Sequence, residues 1–121
     1  MPAKVIDCVA IANELKEEIK AEVAELKGKG IAPGIATLLV GDNFGAKMYR
    51  GQVEKFCAEV GFNYVDANPS VDATEEEVMN VVKELNADAT VSGILPLRPF
   101  PDHIADSVVI NSIDVNKDID C

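Results

Sequence analysis

Residues 41–61 read GDNFGAKMYRGQVEKFCAEVG, a pattern typical of a strand end followed by a loop and a helix. Tyr49 stands early on the predicted helix, and Val53 follows four residues later. Because residues i and i+4 share a helix face, the two side chains should point the same way. A reactive site would be expected to place a charged group one turn after the tyrosine. The segment is therefore either an active site that has lost its key residue or an ordinary packed helix.

Helix and strand patterns alternate on both sides of this segment. Apolar residues recur every three or four positions from Ile11 to Leu26, which predicts one long helix with Asp7 as its N-cap. The run 34–40 is continuously apolar, as expected for a strand covered on both faces. The predicted strands are 34–40, 62–67 and 90–95.

The second half of the chain completes the pattern. Thr74 and Glu77 have the spacing of a capping box and predict the start of a third helix. The proline-rich segment 96–101 is expected to leave the sheet, with Pro101 in the first turn of a last helix that extends to about Ile110. This order predicts a single α/β domain over residues 1–121, with three layers, a mainly parallel sheet and helices on both faces.

Composition excludes several classes of function. The chain has 121 residues, 48% of them apolar, and a net charge of −10, which argues against nucleic-acid binding and anionic membranes. It shows neither a bilayer-spanning apolar run nor a signal-peptide pattern. The cysteines Cys8, Cys57 and Cys121 are widely spaced and predict reduced thiols in a cytoplasmic protein. His103 is the only histidine, so no multi-histidine metal site is expected.

Four motifs identify a family resemblance. They are LLVGDNFGAKMY, KFCAEVGF, LNADATVSGILPLRPFP and VNKDIDC, in that order. The first resembles VGDxxxSxxYxxxKxK of the bifunctional methylenetetrahydrofolate dehydrogenase/cyclohydrolase family, and the second resembles the end of the same helix. The last two resemble LNxDxxxxGILVQLPLP and PxKDVDG. The resemblance extends over nearly all of the chain and is to the N-terminal, substrate-binding domain of a family that interconverts methylene-, methenyl- and formyl-tetrahydrofolate.

The resemblance implies tetrahydrofolate as substrate, and hence a folate-type small molecule as partner, and a homodimer is one expected assembly. In the family, NAD(P) binds to a second, Rossmann-type domain. This chain contains no GxGxxG fingerprint, so we expect no cofactor site within it. It also contains no CxxC motif and no histidine cluster, so we expect no metal site. NAD(P) is expected to bind only if the protein has a second domain.

The resemblance also implies roles for individual residues. Tyr49 corresponds to the tyrosine that packs against the folate ring, and Asp120 to the aspartate that binds the pterin edge. Pro99 keeps the rigid loop, and Lys55 corresponds to a second lysine. We therefore expect Tyr49, Lys55, Pro99 and Asp120 to bind substrate. Helical geometry, however, turns Lys55 about 200° from Val53, away from the predicted site. Asp120 lies on a segment that is expected to fray.

The positions implied to be catalytic are degenerate. Val53 replaces the family's lysine, Leu97 replaces the glutamine that partners it, and Ala46 replaces a serine. Arg98 is a further departure, which either meets a carboxylate or stays exposed. No catalytic residue is intact. The sequence predicts a substrate domain without cyclohydrolase activity, and the alternative is a catalytically degenerate binding or regulatory module.

Overall fold

The computed structural model describes residues 2–120 as one α/β domain with four helices and three strands. In chain order these are α1 (Cys8–Gly28), β1 (Gly34–Leu39), α2 (Phe44–Val60), β2 (Asn63–Ala67), α3 (Glu75–Ala87), β3 (Gly93–Leu97) and α4 (Asp106–Ser112).

The sheet is parallel, with the strand order β2-β1-β3. Alternate residues of β1 face opposite layers: Ala36 and Leu38 belong to the core formed with α3 and α4, whereas Leu39 packs with Ala46 of α2. Helix α1 packs on α2. The predicted three-layer architecture with helices on both faces is confirmed.

Local signals set the helix ends as expected. The Asp7 carboxylate accepts a hydrogen bond from the amide of Ala10 at 3.0 Å, which starts α1. Thr74 and Glu77 form the predicted capping box at the start of α3. Helix α2 ends at Gly61, whose φ of 88° is the left-handed conformation that glycine adopts without strain. These caps depend only on residues close in sequence.

The prediction that the proline-rich segment leaves the sheet is wrong for its first two residues. Pro96 and Leu97 belong to β3, opposite Leu38 and Leu39 of β1. The amide of Ile94 donates outward to the carbonyl of Lys117 at 2.8 Å, so the Pro96 nitrogen, two residues on, also faces away from β1. The proline therefore removes no hydrogen bond of the β1–β3 ladder.

The last helix begins later than predicted. Pro101 begins a turn closed by a 2.9 Å hydrogen bond from the Ile104 amide, and α4 starts only at Asp106. A carboxylate oxygen of Glu75, on α3, accepts from the amide of Ala105 at 3.1 Å. The start of α4 is therefore set by a tertiary contact.

The apolar stripe of α1 is only partly covered. Val23 is buried, whereas Ile11 and Leu15, nearer the N-terminus, are about half exposed. Among residues 2–120, no helix combines the length and the apolar character that crossing a bilayer requires.

Candidate functional site

A cleft of about 490 Å³ opens beyond the carboxyl ends of β1 and β3. The first turns of α2 form one wall, with Gly45, Ala46 and Tyr49. The segment Leu95–Arg98 forms the opposite wall, and Asp120 closes one side. Ligands of open parallel sheets bind at this edge, because the loops that leave the strands converge there. This cleft is therefore the candidate site.

Tyr49 and Val53 lie along the same wall. A hollow of about 330 Å³ contains both residues and shares Tyr49 and Leu95 with the cleft. The side chain of Tyr49 is 50% exposed, so its ring is available to a ligand. Val53 is partly buried and supplies only methyl groups. The i, i+4 geometry thus places residue 53 beside the tyrosine, as the sequence predicted.

The floor of the cleft is apolar and packed. Ala46 and Leu97 line the cleft but are only 5% and 4% exposed, and they form one cluster with Leu39, against which Leu95 packs. Ala46, Val53 and Leu97 replace polar residues of the family motif, and two of these three, Ala46 and Leu97, are therefore in the same buried cluster. A polar side chain at either position would lose hydration unless it found a partner.

Asp120 is not on a free tail, contrary to the expectation from its position. Lys117 donates from Nζ to the carbonyls of Leu85, at 3.1 Å, and Asp88, at 2.8 Å, at the C-terminal end of α3. Its own carbonyl accepts from Ile94 of β3 at 2.8 Å. A lysine is favourable at this helix end, where the helix dipole places partial negative charge. The segment that holds Asp120 is thereby fixed to both α3 and β3.

A glycine allows this segment to lie close to the sheet. A Cβ atom added to Gly93 would lie 2.7 Å from Cγ2 of Ile119, closer than side chains pack. The motif positions of Gly93 and Lys117 were visible in the sequence, but no local pattern linked residues so far apart. Their role in holding Asp120 emerges only from the fold.

Lys55 and Pro99 are not brought into this cleft. Lys55 is exposed and lines a separate groove between α1 and α2, consistent with the 200° turn expected from helical geometry. Pro99, which follows a cis peptide bond, lines another hollow beside Gly41. His103 is exposed, and its Nε2 lies 2.8 Å from the carbonyl oxygen of Ala73. Cys121 lies outside the described residues.

Sequence reasoning missed two interactions near the site helix. The hydroxyls of Thr37 and Tyr64 are hydrogen-bonded at 2.7 Å beneath α2, and burial raises the pKa of Tyr64. Arg50, next to Tyr49, pairs with Asp66 of β2 at 3.5 Å. The first contact joins β1 to β2, and the second links α2 to β2.

Neither a reactive buried thiol nor a metal site is found among residues 2–120. Burial raises the pKa of the Cys57 thiol, and the Glu54 carboxylate raises it further, so this thiol stays protonated at neutral pH. Within the part of the chain that the structure describes, no cluster of His, Cys, Asp or Glu could hold a metal ion. The fold and cleft therefore define an α/β domain with an open cleft at the carboxyl ends of its parallel strands.

Comparison with known proteins gives the family. The family model for the tetrahydrofolate dehydrogenase/cyclohydrolase catalytic domain matches residues 6–120, so the chain belongs to that family. This confirms the resemblance seen in the sequence. The chain is 45% identical over 120 residues to the bifunctional protein FolD 3 of Rubrobacter xylanophilus, covering 99% of this chain and 38% of that protein. It is 38% identical to the bifunctional protein FolD of Ruminiclostridium cellulolyticum, covering all of this chain and 43% of that protein.

Solved structures agree. The bifunctional enzyme FolD from Campylobacter jejuni superposes with a TM-score of 0.89 at 36% identity, over 92% of this chain and 39% of that one. The Trypanosoma brucei enzyme, solved with NADP cofactor and an inhibitor, gives a TM-score of 0.92 at 31% identity, over 100% of this chain and 42% of that one. The chain thus spans about two fifths of the length of these relatives.

Proposed function

We propose that this chain is the substrate domain of a methylenetetrahydrofolate dehydrogenase/cyclohydrolase-like protein, that its cleft binds a tetrahydrofolate, and that it does not hydrolyse methenyl-tetrahydrofolate. The observation that supports this most directly is the composition of the cleft wall. Tyr49 and Asp120 line the cleft, whereas the position one turn after the tyrosine, in the adjoining hollow, is Val53.

The binding half of the proposal follows from shape and polarity. The half-exposed ring of Tyr49 stands beside an apolar floor, which suits a flat heterocycle. The Asp120 carboxylate is the only acidic group on the cleft wall among the described residues, and it can accept two parallel hydrogen bonds from an aminopyrimidine edge. Because Lys117 already orders this segment, binding need not do so.

The loss of hydrolysis follows from the absence of a proton carrier. General acid–base catalysis requires a titratable group within hydrogen-bond reach of the reacting atoms. Val53 cannot donate or accept a proton, and Leu97, at the position of the family's glutamine, is buried in the floor. Lys55 lines a different groove and cannot substitute without rotation of α2.

NAD(P) does not fit the residues described here. A dinucleotide needs a glycine-rich turn whose helix amides bind the pyrophosphate. In the β1–α2 turn, the side chain of Asn43 already accepts the amide of Ala46 at 3.0 Å, and the turn lacks the GxGxxG spacing. We propose that any nicotinamide cofactor binds to another part of the protein.

The second candidate is a degenerate binding or regulatory module, and one observation favours it. Ala46 and Leu97 pack together in the cleft floor, so the replacements form one consistent apolar surface. Such a module would bind folate but add nothing to dehydrogenase turnover. A cytoplasmic location is proposed for either candidate, because Cys8 and Cys57 are both free thiols.

Calorimetric titration with tetrahydrofolate under reducing conditions tests the binding site. The wild-type chain should bind, and Tyr49→Ala should weaken binding by about 1 kcal/mol, or roughly fivefold, if the ring stacks. Lys55→Ala is the matched control on the same helix and should bind normally. Equal affinity in Tyr49→Ala and wild type would place the ligand elsewhere.

A separate assay tests the chemistry. Methenyl-tetrahydrofolate should disappear at the buffer rate in the presence of the wild-type chain. Saturable hydrolysis by protein purified free of other enzymes would refute the proposed loss of cyclohydrolase activity. For the module alternative, the natural protein that contains this domain should be assayed for methylene-tetrahydrofolate-dependent reduction of NAD(P), since turnover there excludes a purely regulatory role.

A further inference from the structure

Arg98 is a cation on the cleft wall that forms no ion pair with any residue of 2–120. It follows the last residue of β3, is exposed, and lines the same cleft as Asp120. The chain has 21 acidic side chains, yet within residues 2–120 none forms an ion pair with Arg98. The other arginine, Arg50, pairs with Asp66. The Arg98 guanidinium is therefore available to a ligand in the cleft.

Two opposite charges thus line one cleft without forming an ion pair with each other. Asp120 belongs to the segment that Lys117 fixes to α3, whereas Arg98 extends from the end of β3, directly after the buried Leu97. The two groups are supported by different elements. A ligand that lies on the floor between them can meet a carboxylate on one side and a guanidinium on the other.

We propose that Arg98 forms a carboxylate-binding subsite at the rim of the cleft. The ligand class is then a flat heterocycle with a hydrogen-bond-donor edge for Asp120 and a carboxylate at a distance from that edge. The inference rests on the proposed folate site and adds a specificity residue to it. It concerns a position where this chain departs from the family motif, which has leucine where Arg98 stands.

The chemistry of arginine favours a carboxylate as the occupant. The planar guanidinium presents paired N–H donors that match the two oxygens of a carboxylate. Inorganic phosphate offers similar oxygens but gains nothing from the adjacent apolar floor and the Tyr49 ring. Because Arg98 is exposed, water and salt screen the pair, and the expected gain in affinity is correspondingly modest.

The test removes the charge from each partner in turn. Tetrahydrofolate is compared with its diamide, in which both glutamate carboxylates are carboxamides of nearly the same size. Wild-type protein should bind the diamide about fivefold more weakly than tetrahydrofolate at low salt, the upper range for an exposed pair. Arg98→Gln should bind both ligands equally, and Arg98→Lys should keep part of the preference. Lys55→Gln removes a cation outside the cleft and should keep all of it.

Each outcome decides the proposal. If wild type and Arg98→Gln prefer tetrahydrofolate over its diamide to the same extent, the subsite is refuted. Equal binding of both ligands by wild type would also refute it. In either case the folate site itself would stand. If the wild type binds neither tetrahydrofolate, its diamide nor 6-methyltetrahydropterin, the folate assignment fails and the subsite fails with it. Displacement of tetrahydrofolate by inorganic phosphate, but not by benzoate, would overturn the assignment to a carboxylate.

Discussion

Replacing Lys117 with methionine isolates the anchor that holds Asp120 in the cleft. The change keeps most of the aliphatic stem but removes the ammonium group, and with it the hydrogen bonds to the carbonyls of Leu85 and Asp88. Leu85 keeps a partner for its carbonyl, because the amide of Asp88 also donates to it at 3.2 Å. The variant therefore removes an attachment without leaving that carbonyl unpaired.

The magnitude follows from these two bonds. Hydrogen bonds to charged groups contribute about 1.5–3 kcal/mol each when well shielded, and Lys117 is only partly buried. We expect the free energy of unfolding to fall by about 2 kcal/mol in total. For a domain of this size that corresponds to a decrease in Tm of roughly 8 °C. Releasing residues 118–120 should also weaken tetrahydrofolate binding by roughly tenfold or more, since ordering each residue costs about 1 kcal/mol.

Two measurements separate the structural effect from the effect on the ligand. Thermal melts followed by circular dichroism give the Tm, and calorimetry well below that temperature gives the affinity. Amide hydrogen exchange should accelerate at Ile94, whose N–H donates to the Lys117 carbonyl. Lys83→Met, at an exposed lysine of α3, is the control and should match wild type in every assay.

The reasoning would be refuted by a Tm within about 2 °C of wild type together with unchanged exchange at Ile94, since roughly 8 °C is expected. A lower Tm with unchanged tetrahydrofolate affinity would have a narrower meaning. It would show that Lys117 stabilises the domain but that Asp120 does not contact the ligand.

Three further predictions concern the cleft and the titratable groups. Val53→Lys should lower the Tm by only a few degrees, because the ammonium can reach water along the cleft. Leu97→Gln should lower the free energy of unfolding by about 1–3 kcal/mol, because its amide is buried, and the double variant should recover part of this loss if the lysine and glutamine pair. Equal Tm values for the two single variants would contradict this. In a variant with Cys121 replaced by serine, Cys8 should react rapidly with a thiol reagent at pH 8. Cys57 should react only after unfolding, since it is buried and its pKa is raised. Equal labelling of the two cysteines in the folded protein, measured by mass spectrometry, would refute this. Hydrogen bonds from Thr90 hold the pKa of Asp88 below its usual value. The ionised Asp88 therefore stabilises the fold above that usual pKa, and this contribution is lost as pH falls through the pKa of the folded state. When the free energy of unfolding from urea titrations is plotted against pH, Asp88→Asn should reduce its fall at acid pH, and an unchanged fall would contradict this.

The sequence alone determined the helix caps, the alternation of helix and strand, and the family. Asp7, Thr74 and Gly61 act on backbone groups within a few residues, so their effect does not depend on the rest of the fold. The i, i+4 relation likewise places Tyr49 and Val53 on one side of α2 whatever the rest of the fold. Because each of these features depends on residues close together in the chain, the sequence alone is enough to predict it.

Tertiary structure alone decided which residues share the cleft and how they are held there. Pro96 stays in the sheet because its nitrogen faces the outer edge of β3, and Asp120 is ordered because Lys117 reaches α3 across about thirty residues of sequence. Leu97 is part of the floor, whereas Lys55 lies in another groove. Contacts of this kind join residues that are distant in sequence, and their geometry exists only once parallel strands and packed helices have brought the segments together.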